Sequence, residues 1–270
     1  MKLWIAAVAC FCLSGQAIAA SAQRIMSLKL CTDELLMDLV PPARIASISF
    51  LSREEAALKQ WPEAAQIPVN HNSIEEVLSV HPDVILTDAY ESPAMKALLA
   101  KTGARIVEVP EAQNFDQIRA VTRSLADVLG ARPRAEQLIA QMDKTLAKLA
   151  AAKLAHRWRV AGWGGGGYVP GRDTLFNTLL EAAGGENIAG PHGGYYDVEA
   201  LIAARPQVLA FGDDYIDTPS LRQDQNDHPA LLKAIGHARV VYPSAQFACG
   251  LPRSAEAAKD FRAALQKVSP

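Results

Sequence analysis

Two segments of the chain share one pattern at a fixed spacing. "SIEEVLSVHPDVILTDAY" (73–90) and "DVEALIAARPQVLAFGDD" (197–214) align without a gap at an offset of 124 residues, which places Pro82 opposite Pro206. In each copy the first residue is a good N-cap, a short amphipathic helix follows, and a proline ends it. The apolar run after the proline is typical of a buried strand. The repeat therefore predicts two related α/β lobes.

The flanking segments continue this alternation of strands and helices. "RIMSL" and "RIASIS" are typical of strands on either side of the helical "DELLMDLV", and "RWRVAGW" precedes the helical "TLFNTLLEAAGG". We expect an α/β fold with two Rossmann-like lobes, a single long rigid helix between them and a ligand cleft between the lobes. The predicted divisions are a signal peptide at 1–22, an N-terminal lobe at 23–112, connecting helices at 113–156 and a C-terminal lobe at 157–270.

The connection is rich in helix-forming residues. Residues 115–154 are broken only by "GARP" (130–133), and a helix from about Arg134 to Leu154 would span ~30 Å. A connection of this kind is a rod, so we expect only modest opening and closing of the lobes.

The N-terminus has the pattern of a secretory signal. Lys2 precedes an apolar stretch, and "AIA" (17–19) is a small-residue cleavage site, so we expect cleavage after Ala19 or Ala22 and a periplasmic location. The apolar stretch is shorter than the ~20 residues that span a bilayer. Lipidation of Cys10 or Cys12 is an alternative.

The charge pattern bears on the partners. The net charge is −2 and the basic residues form no block, so nothing indicates a nucleic acid or an anionic membrane as partner. A small molecule or a protein is expected instead.

Several motifs, in this order and spacing, resemble one family. They are "RIMSLKLCTDELL" with "ARIASIS", "IEEVLSVHPDVIL", "LFNTLLEAAGGENIAG" and "VEALIAARPQVLAF". Together they resemble the periplasmic substrate-binding proteins of ABC importers for cobalamin, haem and iron-siderophore complexes. The resemblance implies a monomer that is not an enzyme, has no intrinsic cofactor, carries a metal chelate as ligand and binds an ABC permease dimer in the inner membrane. The loop "SAQFACGLPR" differs from the cobalamin form at Ala245 and Gln246, so the chelate stays open.

The resemblance also implies a docking role for one glutamate on each lobe. The matching positions are Glu75 and Glu199, which are second in the two repeated helices. Like charges at equivalent sites can engage both halves of a symmetric permease. The alternative is that each glutamate only complements its helix dipole.

The loops that follow the predicted strands supply the candidate ligand residues, because ligands of open α/β sheets lie at the carboxyl ends of strands. Aromatic side chains recur there and can cover a flat chelate. The predicted ligand-binding residues are Lys29, Cys31, Phe50, Asn70, His71, Tyr90, Trp163, Tyr168, Tyr195, Tyr196, Tyr215, Phe247 and Cys249.

Two features of these loops carry further hypotheses. His71 and Tyr196 precede the repeated helices and are candidates for ligating a chelated iron. Cys31 and Cys249 fall in predicted cleft loops on opposite lobes, where a disulfide would tie the cleft shut, so we expect free thiols. They could also pair, if their Cα atoms lie within about 7 Å.

Two other function classes stay open. A free-metal carrier could use His71, His192 and the acidic residues 213–217. A secreted enzyme could hold a phosphate at "GWGGGG" (162–167), which matches G-x-G-x-x-G, although any glycine run does so. The helix that follows is predicted to begin near Asp173, too late for its N-terminus to meet that phosphate.

Overall fold

The computed structural model describes residues 24–54, 59, 61–152, 155–164, 167–213, 228–235 and 238–268. The predicted signal peptide and Tyr215 lie outside these residues. Among the helices within them, none is long and apolar enough to cross a membrane.

The first lobe is a parallel five-stranded sheet with helices against it. Its order is β3-β2-β1-β4-β5, and its strands are β1 (Ile25–Ser27), β2 (Ile45–Ser49), β3 (Val69–Asn70), β4 (Val84–Thr87) and β5 (Arg105–Glu108). Its helices are α1 (Leu30–Leu39), α2 (Ile74–Val80) and α3 (Pro93–Leu99), with 3-10 turns at Pro42–Arg44, Phe50–Arg53 and Pro62–Gln66.

The second lobe repeats the arrangement on a smaller sheet. Four parallel strands have the order β11-β10-β6-β8, and a short antiparallel ribbon pairs β7 with β9. The strands are β6 (Arg159–Gly162), β7 (Tyr168–Val169), β8 (Glu186–Asn187), β9 (Gly194–Tyr195), β10 (Val208–Gly212) and β11 (Arg239–Tyr242). The helices are α6 (Leu175–Ala183), α7 (Val198–Ala203), α8 (Pro229–Ile235), α9 (Ser244–Ala248) and α10 (Ser254–Leu265).

Two helices connect the lobes, α4 (Phe115–Leu129) and α5 (Arg132–Ala151). Gly130 ends α4 in the left-handed conformation, at φ 65°. Helix α5 begins at Arg132 rather than at Arg134, because Pro133 fits the first turn, where its missing N–H is not needed. With 20 residues, α5 spans ~30 Å and buries Ile139 and Met142 along one side.

The repeat is visible in the structure. Helices α2 and α7 begin directly after their N-caps, and in each copy the residue before the proline has positive φ, His81 (46°) or Arg205 (51°). Strands β4 and β10 then occupy matching interior places, each between two parallel neighbours. The predicted two-lobed α/β fold is confirmed.

Residues 249–253, before the last helix, leave the second lobe and pack on the first; they are called the crossing segment below. Cys249 and Leu251 are buried in the hydrophobic core of the first lobe. A Cβ at Gly250 would stand 2.0 Å from the carbonyl oxygen of Ala112, so only glycine permits this approach. The Arg253 guanidinium lies 3.7 Å from the Trp61 ring centre. The lobes are thus joined by this crossing segment as well as by α5.

Candidate functional site

A cavity of about 280 Å³ lies beyond the carboxyl ends of β1, β4 and β5. Its walls come from the loops after these strands, from α1 and α4, and from Gly250 and Leu251 of the crossing segment. The polar or aromatic residues in the wall include Lys29, Thr32, Asp88, Tyr90 and Glu111. The location is that expected for a ligand of an open α/β sheet.

Aromatic rings are exposed in loops of both lobes. In the first lobe the Tyr90 side chain is 76% exposed and Phe50 is 45% exposed, its ring stacked on His71 at 5.3 Å between centres. In the second lobe Tyr168 and Tyr195 face each other across the β7–β9 ribbon, edge to face at 5.6 Å, and Tyr195 is also 76% exposed. Exposed rings grouped in this way offer flat apolar contact surface.

Three predicted ligand residues have other roles in the fold. Asn70 is buried and its amide donates to the Ser27 carbonyl oxygen, which ties β3 to the sheet. Trp163 is buried in the core of the second lobe. Phe247 packs into an aromatic cluster of that lobe. These side chains follow strands in the sequence but point into the protein, which position after a strand does not reveal.

The polar residues around the cavity form two linked pairs. The Lys29 ammonium lies 3.2 Å from the Glu91 carboxylate, which is almost fully buried. The Tyr90 hydroxyl donates to Glu111 at 3.2 Å, and this hydrogen bond raises the pKa of Tyr90. Tyr90 is therefore held as a neutral phenol.

The cysteine prediction is corrected by the structure. Cys31 and Cys249 form a disulfide, with Cα atoms 5.3 Å apart, so they are not free thiols. The prediction assumed that Cys249 faces Cys31 across an open cleft. Because the crossing segment packs Cys249 into the core of the first lobe, the disulfide joins this core to Cys31, which lines the cavity.

The two residues proposed to ligate iron are engaged separately, each within its own lobe. The His71 Nδ1 lies 3.0 Å from Glu76 Oε1. Tyr196 is partly buried and packs against the core of the second lobe. His192 pairs with Asp173 at 3.2 Å. Within the described part of the chain, no three His, Cys, Asp or Glu side chains converge to hold a bare metal ion.

Two glycines of the "GWGGGG" segment, Gly162 and Gly167, are required by the backbone of the second lobe. A Cβ at Gly162 would stand 2.7 Å from the Phe176 ring, and Gly167 has φ 82°. Helix α6 begins at Leu175, with the Thr174 hydroxyl as its cap. The helix N-terminus is therefore too far along the chain from the glycines for a dinucleotide turn.

The two docking candidates are exposed on matching helices. Glu75 lies in the first turn of α2 and Glu199 in the first turn of α7. The neighbouring Glu76 is used differently. Burial opposes its ionisation, but hydrogen bonds from the side chain and N–H of His71 and from the N–H of Ser73 lower its pKa to about 2. Glu76 therefore completes a capping box, whereas Glu75 points to solvent.

Sequence reasoning missed the apolar part of the cavity wall. These residues are Leu30, Leu35, Leu51, Val109, Pro110, Ala112, Val121 and Leu251. Some of them lie beside predicted loops, so the only available signal was their proximity to strand ends. A larger groove of about 1090 Å³ runs along α4, α5, α6 and α10 and contains none of the predicted ligand residues.

Comparison with known protein families matches residues 25–245 to the family described as periplasmic binding protein. A search among curated protein sequences found no match. Similar solved structures include the periplasmic haem-binding protein RhuT from Roseiflexus sp. RS-1, with 21% identity, 90% of this chain and 98% of that chain covered, and a TM-score of 0.73. The periplasmic haem-binding protein HutB of Vibrio cholerae has 16% identity, coverage of 91% and 99%, and a TM-score of 0.77.

The periplasmic vitamin B12 binding protein BtuF of Vibrio cholerae is also similar, with 17% identity, coverage of 90% and 96%, and a TM-score of 0.67. At these identities the structural likeness establishes the fold. The family match is the stronger finding, because it extends from β1 into α9 and so spans most of the chain. The resemblance inferred from the sequence motifs is confirmed: the chain belongs to the periplasmic binding protein family.

Proposed function

We propose that this protein captures a metal chelate between its lobes and delivers it to an ABC permease in the inner membrane. The observation that carries the proposal is the set of exposed rings on the loops of both lobes, Phe50 and Tyr90 on one and Tyr168 and Tyr195 on the other. Exposed rings contributed by both lobes suit a large, flat, partly apolar ligand. The similar structures of haem-binding and vitamin B12 binding proteins support this class of ligand.

In this proposal the chelate is cargo and not a cofactor, and the protein performs no catalysis. The family consists of binding proteins. The mature chain works in the periplasm after removal of the signal peptide. Neither alternative class gains support from the described residues: α6 begins at Leu175, well after the described glycines Gly162, Gly164 and Gly167, and His71 and His192 are each engaged with a carboxylate.

The capture step is tested by purifying the protein from its native periplasm without added ligand. Mass spectrometry and the visible absorption spectrum are then recorded on the same sample. A haem or corrin absorption band, or the mass of an iron-siderophore complex, is the expected result. A bare metal ion or a nucleotide as the recovered ligand would contradict the proposal.

Delivery rests on Glu75 and Glu199. Each is exposed in the first turn of its repeated helix, 124 positions from the other. Two carboxylates at equivalent sites can meet basic residues on the two halves of a permease dimer, and such pairing fixes orientation and partner choice. One monomer of this chain would then engage one dimer of the permease.

The docking step is tested by the double variant Glu75→Lys with Glu199→Lys. We expect import to fall by about 10-fold or more, because two attractions become repulsions, while ligand affinity stays unchanged. The matched control reverses two exposed glutamates elsewhere, Glu63→Lys with Glu181→Lys. Normal import by the Glu75/Glu199 variant would remove the docking role and leave the capture role standing.

A further inference from the structure

The charged residues in the cavity wall restrict the ligand. We infer that the chelate held here carries no net negative charge, an inference that rests on the proposed function. Among the described residues that line the cavity, Lys29 is the one cationic side chain, and Asp88 and Glu111 are the carboxylates. The net charge of the lining side chains is therefore negative even if ion pairs are ignored.

Pairing makes the wall more negative. Lys29 lies 3.2 Å from Glu91, whose side chain is only 5% exposed, so the lysine charge is already balanced by a carboxylate that does not face the ligand. Asp88 accepts a hydrogen bond from the Tyr90 N–H, and Glu111 accepts one from the Tyr90 hydroxyl. Neither interaction cancels the charge of the carboxylate.

The carboxylates of this wall would repel an anionic chelate and weaken its binding. A ferric tris-catecholate is a trianion, and haem carries two propionates, so each would bring like charge towards Asp88 and Glu111 in a partly enclosed space. The Tyr90 hydroxyl could bind ferric iron only as a phenolate, which the hydrogen bond to Glu111 opposes.

A chelate without net negative charge meets none of these costs. Two chemical classes satisfy the condition, a corrinoid and a ferric trihydroxamate. Both carry apolar groups that can pack on the exposed ring of Tyr90 and polar amide or hydroxamate groups that can hydrogen-bond to the wall. The charge of the cavity wall therefore favours these two classes over anionic chelates. Whether the ligand is a corrinoid or a trihydroxamate is decided by measurement.

The test compares four probes by isothermal titration calorimetry with the full mature protein. Cyanocobalamin and a neutral ferric trihydroxamate form one pair, and hemin and a ferric tris-catecholate form the other. We expect one member of the first pair to bind at least about 10-fold more tightly than either anionic probe. The member that binds identifies the source, a corrinoid or a hydroxamate.

A charge-neutral variant sharpens the test. Asp88→Asn with Glu111→Gln keeps the hydrogen-bond acceptors and removes both charges. We expect its affinity for the ferric tris-catecholate to rise about 10-fold at low ionic strength, with the gain shrinking in high salt. The quantity to measure is the ratio of its affinities for the tris-catecholate and for the neutral probe, which should rise. The matched control is Glu63→Gln with Asp260→Asn, at exposed positions away from the cavity.

Failure of the charge inference and failure of the proposed function give different results. Tighter binding of hemin or the tris-catecholate by the unmodified protein overturns the inference and leaves the capture of a metal chelate intact. An unchanged affinity of the neutralised variant for the tris-catecholate also overturns it. Binding of none of the four probes, together with a non-chelate recovered from the periplasm, overturns the proposed function and the inference with it.

Discussion

Helix α1 of the N-terminal lobe and helix α6 of the C-terminal lobe bury different kinds of side chain. Helix α1 places two carboxyl groups, Asp33 and Glu34, in the interior, whereas α6 buries Leu175, Phe176 and Asn177 at the start of its length. Burial raises the pKa of Glu34 to about 8 against the attraction of Arg253. Burial likewise raises the pKa of Asp33 to about 7, although Ser27, Ser49 and Ser52 hydrogen-bond to it. Lobes built on one plan thus differ in their response to pH.

The lobes also differ in what they receive from the rest of the chain. The N-terminal lobe takes in Cys249 and Leu251 and holds Arg253 between Trp61 and Asp38. Two core clusters of the C-terminal lobe are apolar and aromatic and are built from its own residues, while α6 and α10 also pack on Ala112 and on α4 and α5. Both lobes are therefore tied to the connecting helices, but among the described residues the N-terminal lobe holds the disulfide and the buried carboxyl groups of α1. It should therefore be the lobe that is sensitive to reduction and to pH.

The largest effect should come from removing the disulfide. It closes a loop of 218 residues, so its loss frees much conformational entropy in the unfolded chain. We expect Cys31→Ser with Cys249→Ser to lower the free energy of unfolding by about 4 kcal/mol in urea denaturation.

The control is the unmodified protein measured with and without a reducing agent. Reduction should bring its unfolding midpoint close to that of the double variant, and the double variant should not respond. Identical midpoints for the oxidised and reduced protein would show that the crossing segment is held without the disulfide.

A smaller effect should follow from the buried carboxyl of Glu34. Its pKa is higher in the folded protein, about 8, than in the unfolded chain, so folding favours the protonated form. Its contribution to stability is full below about pH 4.5 and is lost as the pH rises through about 8. We expect Glu34→Gln, which stays neutral, to remove roughly 2–3 kcal/mol of this decline.

The measurement is urea denaturation at several pH values between 5 and 9. The matched control lies on the other lobe: Glu181→Gln changes an exposed carboxylate on α6 and should leave the pH profile as it is. A profile for Glu34→Gln that falls as steeply as that of the unmodified protein would show that Glu34 is not the source of the pH sensitivity.

The smallest effects should come from the caps of the repeated helices. The Ser73 hydroxyl accepts from the Glu76 N–H, and the Asp197 carboxylate accepts from the Ala200 N–H. Ser73→Ala and Asp197→Ala should each lower the free energy of unfolding by about 1 kcal/mol. Because the caps lie on different lobes, their effects should add, and Ser79→Ala is the control at the exposed end of α2. Strong non-additivity would show that the two lobes unfold with a coupling the fold does not explain.

Much of the fold could be predicted from the sequence, because the repeat carried its own signals. The N-caps Ser73 and Asp197, the prolines after both helices and the buried runs of β4 and β10 are all local features. The two-residue strands β3, β7, β8 and β9 were not predicted, since a pair of residues has no periodicity. Helix α9 has only five residues and lies in a segment that was predicted to be a loop.

The site could be predicted only in part. Tyr90 and Lys29, which were selected by their position after a strand, line the cavity, but the same rule included the buried Asn70 and Trp163, because it does not fix the direction of a side chain. The disulfide was missed for another reason. Its partners are brought together by the crossing of residues 249–253 onto the first lobe, and this long-range packing leaves no local pattern.

The central claim is that one ligand is held by both lobes, and ligand affinity tests it most directly. Tyr90 and Tyr195 are each 76% exposed, one on each lobe, so alanine there should leave the fold intact. The measurement is the dissociation constant of the natively recovered chelate for Tyr90→Ala, Tyr195→Ala and the unmodified protein. We expect each variant to bind about 10-fold more weakly, with an unchanged unfolding midpoint. Full affinity in either variant would contradict it, because the ligand would then rest on one lobe alone.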